Sequence, residues 1–322
     1  MNGSLQGGRP AQALPSTADR GDVPPLSDRL RRVHWPVAGR IGVHPTGDYR
    51  SRGRGPGLEY ADVREYVPGD DPRQIDWNLT ARSDRTFLRE AHPDRGLDAW
   101  LILDASRSLD WGTARMLKRE AAAELVLAAS ILLGRRGNRV GALIFDRGPL
   151  RVIPPGAGRN ARARLVAEAQ RVPGPGQTGA TDLAGALAQA ERLITRPSLV
   201  IVVSDFVSEP GWQLPLKVLG LRHELVVAVV TDPRESELPD VGLVTFEDLE
   251  TGGQLDVDTG DRRFRERFRK AAAARGGRVR ADLLAARAAA FELSTGEDVL
   301  LQLLRLFRRL ELERRGRPAV AR

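Results

Sequence analysis

Four long apolar runs, each ending in an aspartate, do most to limit what this chain can fold into. WLILD closes at Asp104, VGALIFD at Asp146, LVIVVSD at Asp205 and ELVVAVVTD at Asp232. A strand with one wet face alternates apolar and polar residues, whereas an unbroken apolar run needs cover on both faces, the condition of a parallel sheet flanked by helices. The segments between the runs supply that cover. Helices are predicted over 115–133, 160–171, 182–195 and 212–221, and in the first of them Leu117, Ala121, Leu125, Ala128 and Leu132 share one stripe at three- and four-residue spacing. Strand and helix alternate, so the region from about 97 to 235 is expected to form an open α/β sheet. Ligands of such sheets gather beyond the carboxyl ends of the strands.

Composition removes several kinds of chemistry. The chain has no cysteine, which excludes disulfides, thiolate catalysis and sulfur-held metals. Its four histidines, His34, His44, His92 and His223, include no pair at the i, i+4 spacing of a helical zinc site. Any metal must therefore be a hard ion held by oxygen. The net charge of +8 invites an anionic partner, but of the 50 basic residues only Lys118, Lys217 and Lys270 are lysine. Arginine in such excess, among so much Ala and Gly, is what a GC-rich coding sequence produces, so no nucleic-acid partner is expected. The longest apolar stretch, AAAELVLAASILLG, contains Glu124 and is shorter than the roughly 20 residues of a membrane span. The amino terminus has no continuous apolar core of the kind a secretory signal needs. A cytoplasmic protein without a membrane span is expected.

At 322 residues the chain has room for about two domains. Residues 1–38 are expected to be a disordered tail, 39–96 an extended segment of short strands and loops, 97–248 the α/β domain and 249–322 a helical region packed on it. In the last region FRERFRKAAAA and the segment from Glu297 onward are predicted helices. Val299, Leu300, Leu303, Leu304, Phe307 and Leu310 give the second an apolar face, and Thr295 with Asp298 gives it a T-x-x-D start.

The chemistry concentrates at the strand ends. After WLI-Leu103 the chain reads D-x-S-x-S, placing Asp104, Ser106 and Ser108 at alternate positions of one loop, where three oxygens can converge. Such oxygens suit Mg²⁺, which takes six ligands and usually keeps waters. Neighbouring loops offer Thr181, before a predicted helix, and Asp205, at the end of another strand. Singly, Ser106, Ser108 or Thr181 would be read as helix caps, as Asp146 and Asp232 are. Their joint occurrence, in order, on three loops of one sheet edge favours a metal site.

This set, D-x-S-x-S, then T-D, then S-D, resembles the metal-ion-dependent adhesion site of von Willebrand factor type A domains. The resemblance implies a Rossmann-like α/β fold. It also implies that Ser106, Ser108 and Thr181 bind Mg²⁺, or Mn²⁺ or Ca²⁺, through hydroxyls, while Asp104 and Asp205 hold it directly or through water. One coordination position would stay open for a partner's carboxylate.

Upstream, RSRGRGPGLEYADVREYVPGDDPRQIDWNLTARSDRTFLRE is dense in rare residues. Val-Pro-Gly-Asp carries Pro68 and Gly69 at the positions a type II turn prefers, and Asp70, Asp71 and Asp76 lie within reach of Arg64, Arg73 and Arg82. Trp77 is expected to anchor this loop against the core. A surface so rich in paired charges points to partner binding by Arg64, Tyr66, Asp70, Asp71, Arg73, Asp76, Trp77 and Arg82. The block closely resembles the signature of the bacterial domain of unknown function 58 family. Many members carry two transmembrane helices ahead of it, so this chain resembles a short, soluble form. The resemblance implies partnership with a MoxR-type AAA+ ATPase and a client protein in assembly, maturation or activation. No G-x-x-x-x-G-K-[ST] loop is present, so the chain is expected not to hydrolyse ATP itself, and it is read as an interaction module rather than an enzyme. The alternatives are a metal-dependent hydrolase, for which no base lies beside the proposed ion, and nucleic-acid binding through the SRGRGPG loop, which has no interleaved aromatics.

Overall fold

The computed structural model describes residues 29, 30, 33, 62–68, 70–72, 75–90, 98–134, 138–146, 148–171, 181–208, 210–247 and 253–315. The chain divides into two compact units, Gly42–Gly96 and Met1–Ile41 with Leu97–Arg322.

In the smaller unit, strands β1 (Asp62–Glu65) and β2 (Phe87–Glu90) pair antiparallel. The Val67–Asp70 turn between them closes with the Asp70 N–H donating to the Val67 carbonyl at 3.0 Å, and the Asp70 carboxylate accepts from the Val67 N–H at 2.9 Å. A single-turn helix α1 (Trp77–Thr80) starts at Asp76, whose carboxylate accepts from the N–H groups of Asn78 and Leu79 at 3.1 and 3.2 Å. The expected anchoring role of Trp77 does not hold, because its side chain is 68% exposed. The turn is tied down by polar bonds instead: the Asp76 cap at one end and, at the other, Thr80 Oγ1 accepting from the Phe87 N–H at 3.1 Å.

The larger unit is built on six strands: β3 (Asp98–Asp104), β4 (Arg139–Phe145), β5 (Arg151–Gly156), β6 (Leu199–Ser204), β7 (Glu224–Thr231) and β10 (Ala289–Ser294). Their order is β10-β7-β6-β3-β4-β5, parallel throughout except for β5, which runs antiparallel to β4. A separate hairpin joins β8 (Leu243–Glu247) to β9 (Gln254–Asp258). Among the described residues after Leu97, the helices of this unit are α2 (Lys118–Leu133), α3 (Gly158–Ala169), α4 (Leu183–Leu193), α5 (Gln213–Arg222), α6 (Arg262–Ala285) and α7 (Val299–Arg315). Four strands of this unit, β5, β8, β9 and β10, were not expected from the sequence. β10 extends the main sheet past β7, so the region after residue 249 is not purely helical.

Alternation along each central strand sends successive side chains to opposite faces, and both faces are covered. Leu101, Leu103, Ile201, Val203, Val226 and Ala228 pack with Ala121, Leu125, Ala128 and Leu132 of α2 and with Leu303 and Phe307 of α7. Ile102, Leu143, Val200, Val202 and Val227 pack with Leu183 and Leu187 of α4 and Leu216 and Leu219 of α5. At the β5 edge the ladder shifts register between Val140 and Ala142, where the backbones come close. A Cβ on Gly141 would lie 2.8 Å from the Ile153 carbonyl oxygen and 2.9 Å from the nitrogen of Pro155. Pro154 and Pro155 both lie within β5.

The amino-terminal stretch is fixed at the positions described. Leu30 is fully buried in the first core cluster, and the Arg29 guanidinium grips both carboxylate oxygens of Asp298 at 3.0 and 2.9 Å. Asp298 in turn accepts from the Leu301 N–H at 3.1 Å and so caps α7. Thr295 does not share that role, because its hydroxyl donates to Asp232 at 2.5 Å.

Candidate metal centre

The carboxyl end of the sheet gathers the polar side chains that the apolar strands deliver. β3 and β6 are parallel neighbours with Leu103 opposite Val203, so Asp104 and Ser204 emerge side by side one residue later. The Ser204 hydroxyl donates to Asp104 Oδ2 at 2.7 Å and accepts from the Phe206 N–H at 3.0 Å. Asp104 Oδ1 accepts from the Ser106 N–H at 2.9 Å, which folds the loop back so that Ser106 Oγ and Ser108 Oγ meet at 2.9 Å. Asp205 Oδ1 accepts from the Val207 N–H at 3.0 Å. The turn is tight enough to force Phe206 to φ +56°, a left-handed conformation that costs a non-glycine residue of order 1 kcal/mol or more. Edge-on packing of its ring against Trp212, centroids 4.8 Å apart, helps to hold it there.

Asp104, Ser106, Ser108 and Asp205 are thus brought together. Thr181 stands at the head of α4, one residue before Asp182, whose carboxylate caps the helix by accepting from the Gly185 N–H at 2.7 Å. Thr181 is 0% exposed, and its hydroxyl oxygen is buried without a hydrogen-bond partner among the described residues. A buried hydroxyl left unpaired costs about 1–3 kcal/mol, so its position calls for a partner beyond the described residues.

Two carboxylates this close and this dry repel. Burial, and then the charge of Asp205, push the Asp104 carboxyl up to about 7, against the opposing hydrogen bonds from Ser106 and Ser204. The sign of the pH effect follows. An acid whose folded value lies above its ordinary 3.8 holds its proton longer in the folded protein, so metal-free stability rises as pH falls from about 7 towards 3.8 and levels off outside that window. Thermal melts across this range in the presence of chelator should show that slope, and Asp104→Asn should flatten it.

The sequence reading missed two members of the centre. Ser204 is one, hidden in an apolar run. Lys118 is the other: it is 1% exposed, ion-paired to Asp205 Oδ2 at 3.1 Å and to the Glu235 carboxylate, with its ammonium 5.7 Å from the centre of the Trp111 ring. Burial alone would lower its pKa, but the charges of Asp205 and Glu235 outweigh that and hold the ammonium above its ordinary value. Lys118 is the first residue of α2, where the helix dipole disfavours a cation, so these two carboxylates account for its placement.

Among the described residues no cluster of three or more His, Asp or Glu side chains is arranged for a metal. The Asp104 and Asp205 carboxylates with the Ser106 and Ser108 hydroxyls form an all-oxygen set of the kind that suits a hard divalent cation keeping some of its water, and Thr181 at the head of α4 adds an orphaned hydroxyl. Of the residues expected to bind a partner in the smaller unit, Asp71, Trp77 and Arg82 are exposed, while Tyr66, Asp70 and Asp76 are half-buried. Arg64 lies in β1, and Arg73 falls outside the described residues.

Uncharacterized proteins of Mycobacterium tuberculosis and Mycobacterium bovis are each 34% identical to this chain over 298 residues, covering 92% of it and 94% of their own length. Among solved structures, the conserved hypothetical protein BatB of Bacteroides thetaiotaomicron covers 68% of this chain and 100% of its own at 16% identity and a TM-score of 0.44. The manganese-loaded TRAP protein of Plasmodium vivax covers 42% of this chain and 57% of its own at 20% identity and a TM-score of 0.32. At TM-scores below 0.5 neither likeness bears on function. The model of the protein family of unknown function DUF58 matches residues 62–278, two-thirds of the sequence, and the chain belongs to that family.

Proposed function

We propose that this protein is an interaction module whose grip on its partner depends on a divalent cation, Mg²⁺ or a similar ion, held by Asp104, Ser106, Ser108, Thr181 and Asp205. The observation that carries this reading is the buried Thr181 hydroxyl at the head of α4, without a partner among the described residues, together with the strand ends that bring Asp104 and Asp205 close. The likeness of the D-x-S-x-S, T-D and S-D set to the adhesion site of type A domains supports it. A bound cation would supply an open coordination position for an acidic side chain of the partner. The chain's own residues do the rest: Ser204 orients Asp104, and the left-handed turn at Phe206 sets Asp205.

The partner we propose is a MoxR-type AAA+ ATPase, with this chain linking it to a client protein. Catalysis is not proposed, since metal-assisted hydrolysis needs a base free to act on a bound water and Asp104 and Asp205 are both committed to the ion. The test is affinity capture from the native cytosol on the tagged full chain, with Mg²⁺ or with chelator. Recovery of an AAA+ ATPase only in the presence of the ion is the expected result. Equal recovery in both arms would remove the metal from the reading, and recovery in neither would remove the partner.

A further inference from the structure

Lys118 occupies an unusual place for a lysine, and its partners explain what it can do. It is buried, it starts a helix, and it spans from Asp205, after β6, to Glu235, in the short 3-10 turn Pro233–Glu235 after β7. Glu235 is itself anchored, because its other oxygen accepts from the Asp232 N–H at 3.1 Å. The ammonium is therefore held rigidly against Asp205 Oδ2, while Asp205 Oδ1 is engaged by the Val207 N–H.

We infer that Lys118 is a built-in counter-charge that sets the affinity of the centre for its cation. This rests on the metal reading above. With Asp104 ionised, Asp104, Asp205 and Glu235 with Lys118 carry a combined formal charge of −2, matched to one divalent ion. A metal ion and the ammonium compete for the same Asp205 carboxylate, and in a dry site like charges a few ångströms apart oppose each other strongly. Glu235 is a positioning residue in this scheme: by drawing the ammonium towards itself it frees part of Asp205 for the ion.

The inference makes two predictions of opposite sign, readable by calorimetric titration of the full chain with Mg²⁺. Lys118→Met should tighten Mg²⁺ binding about tenfold or more. Its metal-free melting temperature should fall, while the rise in melting temperature on adding Mg²⁺ should exceed that of the wild type. Glu235→Gln should weaken binding several-fold, since the ammonium then settles wholly on Asp205. A merely structural role for Lys118 would loosen the site and weaken binding in both variants. Unchanged or weaker affinity in Lys118→Met overturns the inference while the metal reading stands, whereas absence of Mg²⁺ binding by the wild type overturns both. Should Lys118→Met not fold, Lys118→Gln takes its place: tighter binding supports the counter-charge, and unchanged or weaker binding overturns it.

Discussion

Replacing Asp104 with alanine is expected to abolish calorimetrically detectable Mg²⁺ binding while leaving the far-ultraviolet circular dichroism unchanged. The carboxylate is one of the two proposed to hold the ion, and its loss leaves Asp205, already ion-paired to Lys118, with hydroxyls that together bind a dehydration-resistant ion too weakly. The fold should tolerate the change. Asp104 sits at the end of β3 rather than inside it, and its removal also relieves the repulsion with Asp205 that raises its pKa. Loss of the Ser204 and Ser106 hydrogen bonds works the other way, so the metal-free melting temperature should move little. Retained Mg²⁺ affinity in this variant would remove Asp104 from the ligand set and with it the proposed centre.

The second large effect is on stability. Asp232 is 2% exposed and accepts four hydrogen bonds: from the Thr113 N–H at 2.7 Å, the Thr113 hydroxyl at 2.5 Å, the Thr295 hydroxyl at 2.5 Å and the Arg234 N–H at 2.9 Å. Burial alone would raise its pKa, but these donors outweigh burial and hold the carboxyl below its ordinary 3.8. It joins three loops: the one before α2, the turn after β7 and the one after β10. Asp232→Ala strands several buried donors at about 1–3 kcal/mol each, partly relieved by water. A loss of about 3 kcal/mol follows, or a fall of about 10 °C in melting temperature for a unit of this size. A change below about 1 kcal/mol in a denaturant titration would show that the carboxylate is not the joint described. The stabilisation should be present above the ordinary carboxylate pKa and fade as pH falls through it, since an acid with a depressed folded value must be protonated to lose its bonds.

The central strands could be read from the sequence because burial on both faces leaves a short unbroken apolar run, here closed each time by an aspartate. β5 and β10 lacked that mark. β5 buries only Ile153 and contains two prolines, and β10, Ala-Ala-Phe-Glu-Leu-Ser, follows an alanine-rich helix without contrast in hydropathy. At the centre, spacing exposed the members that lie on one loop, Asp104, Ser106 and Ser108. Lys118 could not be found that way: its carboxylate partners are 87 and 117 residues away in sequence, and a lysine at a helix start reads as a surface residue. Trp77 misled for the reverse reason. A tryptophan in a charged loop invites burial, but capping bonds hold that turn and leave the ring exposed.

The antiparallel strand β5 ends the main sheet with Pro154 and Pro155 in sequence, two positions with no N–H to offer. Successive residues face opposite edges, so one of the two prolines removes a donor from the free border, which disfavours fibril growth or strand addition there.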